Sequence, residues 1–152
     1  MEGRFLPIGI QDFEKLRKGN HVYVDKTALI YQLAQTSTPY FLSRPRRFGK
    51  SLLLSTMEYY FQGRKDLFEG LAIAEKEKDW TEWPVLKISF GLNSYEDNAR
   101  LKARLNAIAS EYERLYGIER QGDDPAERLA DVIRTAYKKT GKPYRDGRRA
   151  IW

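Results

Sequence analysis

Apolar side chains recur at the three- and four-residue spacing of an amphipathic helix along much of this chain. The predicted helices cover residues 13–18, 26–35, 50–62, the stretch that follows Ser94 as far as Leu115, and residues 125–139. The side chains expected to face a core are Leu29, Ile30 and Leu33; Leu53, Leu54, Met57, Tyr60 and Phe61; Leu101, Leu105, Ile108, Tyr112 and Leu115; and Leu129, Ile133 and Ala136.

Residues that satisfy unpaired backbone groups mark the ends of these helices. Asp12, Asp25, Ser94 and Asp124 each precede a predicted helix. An aspartate or serine in that place accepts hydrogen bonds from N–H groups of the first turn. Pro125 follows Asp124 at the first helical position, where a missing N–H costs nothing.

Three short runs of β-branched and aromatic residues between the helices are predicted strands, at residues 21–24, 39–43 and 85–90. Residues 64–83 fit neither period and are expected to form short helical turns. Helices that alternate with strands predict a layered α/β fold.

Composition narrows the classes of function. The chain has 152 residues and no cysteine, which excludes disulfides, cysteine-ligated zinc, iron–sulfur clusters and thiol catalysis. No apolar run approaches the roughly 18 residues of a membrane span, and no signal-peptide pattern opens the chain. We therefore expect a cytoplasmic protein without membrane contact.

Positive charge is concentrated at the C-terminal end. The formal net charge is +6, and residues 138–152 carry six basic side chains against the single acid Asp146. This charge suggests an alternative function, a basic nucleic-acid- or partner-binding module. In it, the arginines at 44–47 and 145–149 would contact backbone phosphate.

The strongest chemical signal is the segment 41–51, which reads as a strand, a basic loop and the start of a helix. Phosphate-binding loops need this order, because backbone N–H groups and the helix dipole hold the anion. Gly49, Lys50 and Ser51 match the second half of the phosphate-loop motif, whereas Arg44 stands where its first glycine belongs.

The segment resembles the AAA-ATPase-like proteins of bacteria, which are relatives of the P-loop NTPases. The resemblance covers about residues 5–140 and is carried by Leu6–Phe13, then Tyr23–Thr27, then Ser43–Ser51. It implies an incomplete P-loop NTPase-like three-layer α/β sandwich with a small, mostly parallel sheet. The resemblance also implies that the absence of the first glycine at Arg44 is normal for the family.

The resemblance also implies ligands and partners. ATP and Mg²⁺ are the expected cofactors, with Lys50 on the β- and γ-phosphates and Ser51 on Mg²⁺. Family members often carry a PD-(D/E)XK nuclease-like domain after the ATPase domain, and no residue of such a domain is present. The backbone of Arg46, Arg47, Phe48, Gly49 and Lys50 would surround the phosphates, with the Arg46 or Arg47 side chain adding charge.

The chain departs from the family pattern after the helix at 125–139. The expected strand that ends in acidic residues, the Walker B element, does not follow; residues 141–152 are basic and aperiodic. We expect residues 1–140 to be the N-terminal part of the domain and 141–152 an irregular tail, as a truncation, a frame change or natural divergence would produce. A missing central strand would leave sheet edges open and favour a homo-oligomer.

The same departure bears on catalysis. Without a Walker B acid, no catalytic residue is assigned and nucleotide binding without hydrolysis is expected. Asp25 is better explained as a helix cap than as a substitute acid. We expect the lone His21 to be a surface or strand-edge residue, and Trp80 and Trp83 to anchor their loop on the core rather than to stack on a base.

Overall fold

The computed structural model describes residues 3–36, 40–43, 45, 47–90 and 97–140. The described residues form two compact units, which divide after Val85. The first unit contains α1 (Phe13–Lys18), α2 (Thr27–Gln35), α3 (Lys50–Phe61), a 3₁₀ helix (Lys65–Phe68) and α4 (Ala72–Lys76), and the second contains α5 (Asn98–Tyr116) and α6 (Pro125–Thr140).

The core of the first unit is rich in aromatic side chains. Phe13 of α1 and Phe68 of the 3₁₀ helix are fully buried, with ring centroids 4.8 Å apart. Trp80 packs against Phe68 at 5.2 Å, so the irregular segment after α4 covers this core. The other buried members are Ile30, Ala34, Met57, Tyr60, Phe61, Leu67, Leu71 and Ile73.

Asp25 joins two helices of the first unit. Its Oδ1 accepts a hydrogen bond from the backbone N–H of Thr27 at 2.8 Å, which satisfies the first residue of α2. Its Oδ2 accepts one from the N–H of Ala72, the first residue of α4, at 2.7 Å. The predicted capping of α2 by Asp25 is therefore confirmed, although Lys26 is the residue at the N-cap itself.

In the second unit, α5 and α6 pack on each other. The inward side of α6 is formed by Arg128, Val132 and Ala136, at four-residue spacing. Asp97, and not the predicted Ser94, is the N-cap of α5, and its side chain accepts a hydrogen bond from the N–H of Ala99. Asp124 accepts one from the N–H of Glu127 at 3.3 Å, as the capping pattern predicted.

The predicted α/β sandwich with a parallel sheet is wrong for the part of the chain that the structure describes. Residues 22–24, 40–43 and 85–90 form no strand there. The only β-type pairing among described residues is an isolated parallel bridge between Phe5 and His21. The composition favoured extended backbone, but a strand also requires a neighbouring strand to pair with.

Residues 87–89 show what replaces that pairing. The N–H of Lys87 donates to the Tyr112 hydroxyl at 2.7 Å. The Arg104 guanidinium donates to the carbonyl of Ser89, with Nη2 at 2.7 Å. Because side chains of α5 bond these backbone groups, the predicted strand runs beside a helix rather than in a sheet.

The helices were predicted more closely than their faces. α1 has the predicted bounds, α2 and α3 each begin or end within one residue of them, and short turns occupy the irregular segment as expected. Leu29, Leu54, Ile133 and Leu115 are exposed rather than in the core, and Leu115 is 69% exposed. Ser94 and residues 141–152 lie outside the described residues.

Candidate functional site

The loop before α3 turns sharply into the helix. Arg47 and Gly49 both adopt left-handed backbone conformations, with φ of 68° and 75°. Glycine takes this conformation without strain, whereas arginine pays a steric cost because of its Cβ. The helix begins immediately afterwards, at Lys50. Gly49 therefore has a defined role, which is to let the chain enter α3 directly from the loop.

The N-terminal end of α3 has the features of an anion-binding helix end. Gly49 is the N-cap, no side chain caps the helix, and the first turn contains no acidic residue. The first backbone bond of the helix runs from Leu53 N–H to the Gly49 carbonyl, at 3.0 Å. Since the positive end of a helix dipole favours negative charge, this end of α3 suits an anion.

The predicted ligand residues that the structure describes, residues 47–51, lie at this helix end. Lys50 folds back over the loop, and its Nζ donates a hydrogen bond to the carbonyl of Pro45 at 3.1 Å. Ser51 is exposed, and Phe48 is 63% exposed. Apart from its two chain neighbours, no described residue has a heavy atom within 4 Å of the position that a Cβ on Gly49 would occupy.

The body of α3 is fixed by polar contacts to α1. The buried Ser55 hydroxyl accepts a hydrogen bond from the N–H of Phe13 at 2.9 Å and donates to Asp12 Oδ2 at 3.4 Å. The Tyr59 hydroxyl donates to the same carboxylate oxygen at 3.2 Å. Ser55 and Tyr59 were not among the residues predicted from the sequence. The available signal was their position four and eight residues after Ser51, on one side of the helix.

A charged cluster lies next to these contacts. Glu14 accepts hydrogen bonds from Arg64 Nη2, at 2.8 Å, and from the Tyr59 hydroxyl, at 3.3 Å. Lys18 and Arg64 together lower the pKa of Glu14 to about 2. Arg64 also pairs with Asp66 at 2.9 Å. Both carboxylates are ionised at neutral pH. Glu14 joins α1 to Arg64 in the segment after α3, whereas Asp66 pairs with Arg64 within that segment.

The remaining candidates have structural roles. Trp80 and Trp83 pack against the core cluster of the first unit, which confirms their prediction as anchors. His21 pairs with Phe5 through its backbone and through a ring contact with centroids 6.1 Å apart. Among the described residues, no group of three or more His, Cys, Asp and Glu is arranged to hold a metal ion. No helix in that part of the chain is long and apolar enough to cross a membrane.

The resemblance seen in the sequence is supported by comparison with known proteins. A family model described as "Predicted AAA-ATPase" matches residues 7–144. The chain belongs to this AAA-ATPase-like family. The matched region includes the loop, α3 and all the contacts that fix α3.

A relative from Azotobacter chroococcum mcd 1, described as an "uncharacterized protein in vnfD 5'region", is 41% identical over 144 residues. The match covers 93% of this AAA-ATPase-like chain and 28% of the relative. No solved structure matches the chain.

Several expectations for this AAA-ATPase-like chain stay predictions. Arg44, Arg46 and residues 145–149 lie outside the described residues, so the nucleic-acid alternative keeps only its sequence argument. The expectation of a homo-oligomer loses its stated basis, because it assumed the open edges of a sheet. The nuclease-like domain also stays an expectation from the resemblance.

Proposed function

We propose that this AAA-ATPase-like chain binds a nucleoside triphosphate, with ATP as the first candidate, together with Mg²⁺ at residues 46–51. The observation that carries the proposal is the start of α3, where left-handed Gly49 leads into a helix end without a side-chain cap or an acid. Anions bind at such helix ends through backbone N–H groups and the helix dipole. Membership of the AAA-ATPase-like family supports a nucleotide as that anion.

Lys50 supplies the main positive charge in this proposal. Its ammonium already lies against the loop, 3.1 Å from the Pro45 carbonyl. On binding, a phosphate oxygen would replace that carbonyl, and a charge-assisted hydrogen bond would replace a neutral acceptor. Arg46 and Arg47 would add positive charge around the phosphates.

Ser51 would bind Mg²⁺ together with the nucleotide rather than before it. A single hydroxyl is a weak ligand, and Mg²⁺ in nucleotide sites is held largely by phosphate oxygens and water. The exposed Ser51 at the second position of α3 suits this role. Mg²⁺ affinity should therefore depend on the nucleotide.

Binding without turnover is the expected behaviour of this chain. Phosphoryl transfer also requires a group that orients the attacking water and further charge stabilisation near the γ-phosphate. No residue is assigned to either task. We expect no ATP hydrolysis above background under conditions in which Mg·ATP is bound.

Calorimetric titration with Mg·ATP tests the proposal. Lys50→Ala removes a charged contact worth about 1.5–3 kcal/mol, so its affinity should be at least about tenfold weaker than that of the wild type. Lys78→Ala removes an exposed lysine outside the site and should bind as the wild type does. Equal affinities for the wild type and Lys50→Ala, or no binding by the wild type, would refute the proposal.

A further inference from the structure

One carboxylate connects the start of α1 to α3. Asp12 Oδ1 caps α1 by accepting a hydrogen bond from the N–H of Lys15 at 2.9 Å. Asp12 Oδ2 accepts from the hydroxyls of Ser55, at 3.4 Å, and of Tyr59, at 3.2 Å. The Ser55 hydroxyl also accepts the N–H of Phe13 at 2.9 Å. We call these four residues, Asp12, Phe13, Ser55 and Tyr59, the α1–α3 clamp.

The clamp residues of α3 lie on the same side of the helix as Ser51, the residue proposed to bind Mg²⁺. Ser51, Ser55 and Tyr59 are spaced by four residues and therefore lie on one side of α3. Since a helix rises 1.5 Å per residue, Ser55 lies about 6 Å along the axis from Ser51. The clamp therefore holds α3 about one turn from the residue proposed for Mg²⁺.

The clamp lies one turn after the start of α3, which has no side-chain cap of its own. At its N-terminal end, α3 has no side-chain cap, and Lys50, Gly49 and Ser51 are half-buried or exposed. One turn further, Ser55 is 5% exposed, so its hydrogen bonds are shielded from water. Buried hydrogen bonds of this kind fix a side chain and the helix that carries it.

We infer that Asp12 is a positioning residue for the nucleotide site, because it holds α3 through Ser55 and Tyr59 and thereby fixes Lys50 and Ser51 relative to the bound phosphates. The inference rests on the proposed function. Binding groups must be held within about 0.5 Å of their productive geometry. A helix that is free to shift along α1 would not meet that requirement.

The protonation state of Tyr59 supports the clamp. Burial, together with the negative charges of Asp12 and Glu14, raises the pKa of Tyr59 to about 12. The hydroxyl therefore stays protonated at neutral pH and donates to Asp12. Loss of this donor, without loss of the ring, weakens the clamp and also removes the contact of Tyr59 with Glu14.

Two variants separate the clamp from other roles of these residues. Asp12→Ser keeps an N-cap side chain for α1, but serine is too short to bond Ser55 and Tyr59 as well. Tyr59→Phe removes only the hydroxyl. Tyr112→Phe is the matched control, because its hydroxyl bonds Lys87 in the other unit. We expect the two clamp variants to bind Mg·ATP about three- to tenfold more weakly and the control to be unchanged.

A coupling measurement distinguishes positioning from general destabilisation. If Asp12 acts through the lysine, Asp12→Ser should change Mg·ATP affinity by less than about twofold once Lys50→Ala is already present. The unfolding free energies of the two substitutions should instead add. An undiminished loss of affinity in the Lys50→Ala background would overturn the inference.

Hydrogen exchange of the ligand-free protein keeps this test independent of the proposed function. Asp12→Ser should speed amide exchange in peptides that cover residues 50–57, and Tyr112→Phe should not. Unchanged exchange there, or an unchanged affinity when the wild type binds Mg·ATP, overturns the positioning role. Failure of the wild type to bind Mg·ATP, with faster exchange in Asp12→Ser, overturns the proposed function and leaves a clamp on α3 alone.

Discussion

Arg128 and Glu113 form a doubly hydrogen-bonded ion pair between α6 and α5. Arg128 Nε donates to one carboxylate oxygen at 2.8 Å and Nη2 to the other at 2.6 Å. The two side chains are 1% and 8% exposed. Further bonds of 2.7 Å run from Arg128 to Asn106 and Ser110. A buried polar network therefore lies between the two helices, and each of its two charges compensates the burial of the other.

Removing one charge should be costly. Arg128→Met leaves the Glu113 carboxylate buried without its partner, and we expect a loss of about 3–5 kcal/mol in unfolding free energy. Arg128→Met combined with Glu113→Leu should recover much of that loss, because no charge then remains buried. Urea unfolding followed by helical circular dichroism measures both.

The matched control is Arg134→Met, which breaks an exposed ion pair with Asp131. Exposed pairs contribute about 0–1 kcal/mol, so this variant should be nearly neutral. Additive losses from Arg128→Met and Glu113→Leu would contradict a coupled buried pair.

Acid should weaken the protein partly through Glu14. Lys18 and Arg64 lower the pKa of this carboxyl from 4.5 to about 2 in the folded chain. A group with a depressed folded pKa stabilises the fold above its unfolded pKa, and that contribution is lost as the pH falls from about 4.5 towards about 2. The urea midpoint should fall over this range.

Glu14→Gln isolates this contribution. The variant should be less stable than the wild type at pH 6, and the gap should narrow as the pH approaches 2, since the wild-type carboxyl is then protonated too. Glu111→Gln changes an exposed glutamate elsewhere, and the dependence of its urea midpoint on pH should match that of the wild type. A constant gap between wild type and Glu14→Gln from pH 6 to pH 2 would exclude this assignment.

Gly63 and Gly70 differ in why the structure requires a glycine. Both have a backbone conformation that favours glycine, but only at Gly63 does another segment also lie too close for a side chain. Both have positive φ, 69° and 72°. A Cβ on Gly63 would lie 2.7 Å from the carbonyl oxygen of Trp80, whereas a Cβ on Gly70 would meet nothing within 4 Å. Gly70→Ala should cost about 1 kcal/mol for its backbone alone. Gly63→Ala should cost a further 1–3 kcal/mol or so, because the Trp80 segment must move.

The same urea titration, read by tryptophan fluorescence, reports on this segment directly. Gly63→Ala should change the native-state tryptophan emission, to which Trp80 contributes together with Trp83 and Trp152, and Gly70→Ala should leave it unchanged. Equal costs for the two variants would mean that the approach of Trp80 to Gly63 contributes nothing.

The sequence predicted the helices because each carries local signals. Asp12 and Asp124 mark helix starts with side chains that bond the first turn, and both bonds are present. Gly49 marks the entry into α3 and has the left-handed conformation that favours glycine. Such signals depend on neighbours within a few residues, so one sequence is enough to read them.

The inward faces and the sheet could not be predicted in the same way, since they depend on distant partners. Arg128 is a charged residue on the buried side of α6, and its burial is compensated by acceptors on α5, above all by Glu113, fifteen residues earlier. A hydrophobic pattern instead favoured Ile133, which is exposed. Lys87 to Ser89 have strand composition, but their pairing depends on what lies beside them, here the side chains of α5.

In the candidate site, too, some residues could be predicted from their neighbours in the sequence and others depend on distant partners. The motif predicted Lys50 and Ser51 from adjacent residues, whereas Ser55 and Tyr59 gain their roles from contacts with Asp12 and its neighbours in α1, more than forty positions away in the sequence. No local pattern distinguishes a serine that is buried against another helix from one on the surface. Contacts of this kind need the structure.

Asp25 and Thr27 together hold the start of α4, which gives a further prediction. Asp25 Oδ2 accepts the N–H of Ala72 at 2.7 Å, and the Thr27 hydroxyl accepts the N–H of Ile73 at 3.1 Å. Thr27 is fully buried, so water cannot replace its hydroxyl. Thr27→Val should leave the Ile73 N–H without a partner and cost about 1–3 kcal/mol.

Thr27→Ser is the matched control, because it keeps the hydroxyl and removes only a methyl group. It should retain the hydrogen bond and lose less stability than Thr27→Val, although valine is closer to threonine in shape.

Asp25→Asn tests the other contact of α4. The asparagine amide has one oxygen, so it cannot accept hydrogen bonds from both α2 and α4, and we expect a loss of about 1–3 kcal/mol in unfolding free energy. Hydrogen exchange should then quicken at residues 72–76 in Thr27→Val and Asp25→Asn but not in Thr27→Ser. Stability that follows side-chain volume, with Thr27→Ser the worse of the two, would show that packing rather than this pair of hydrogen bonds fixes α4.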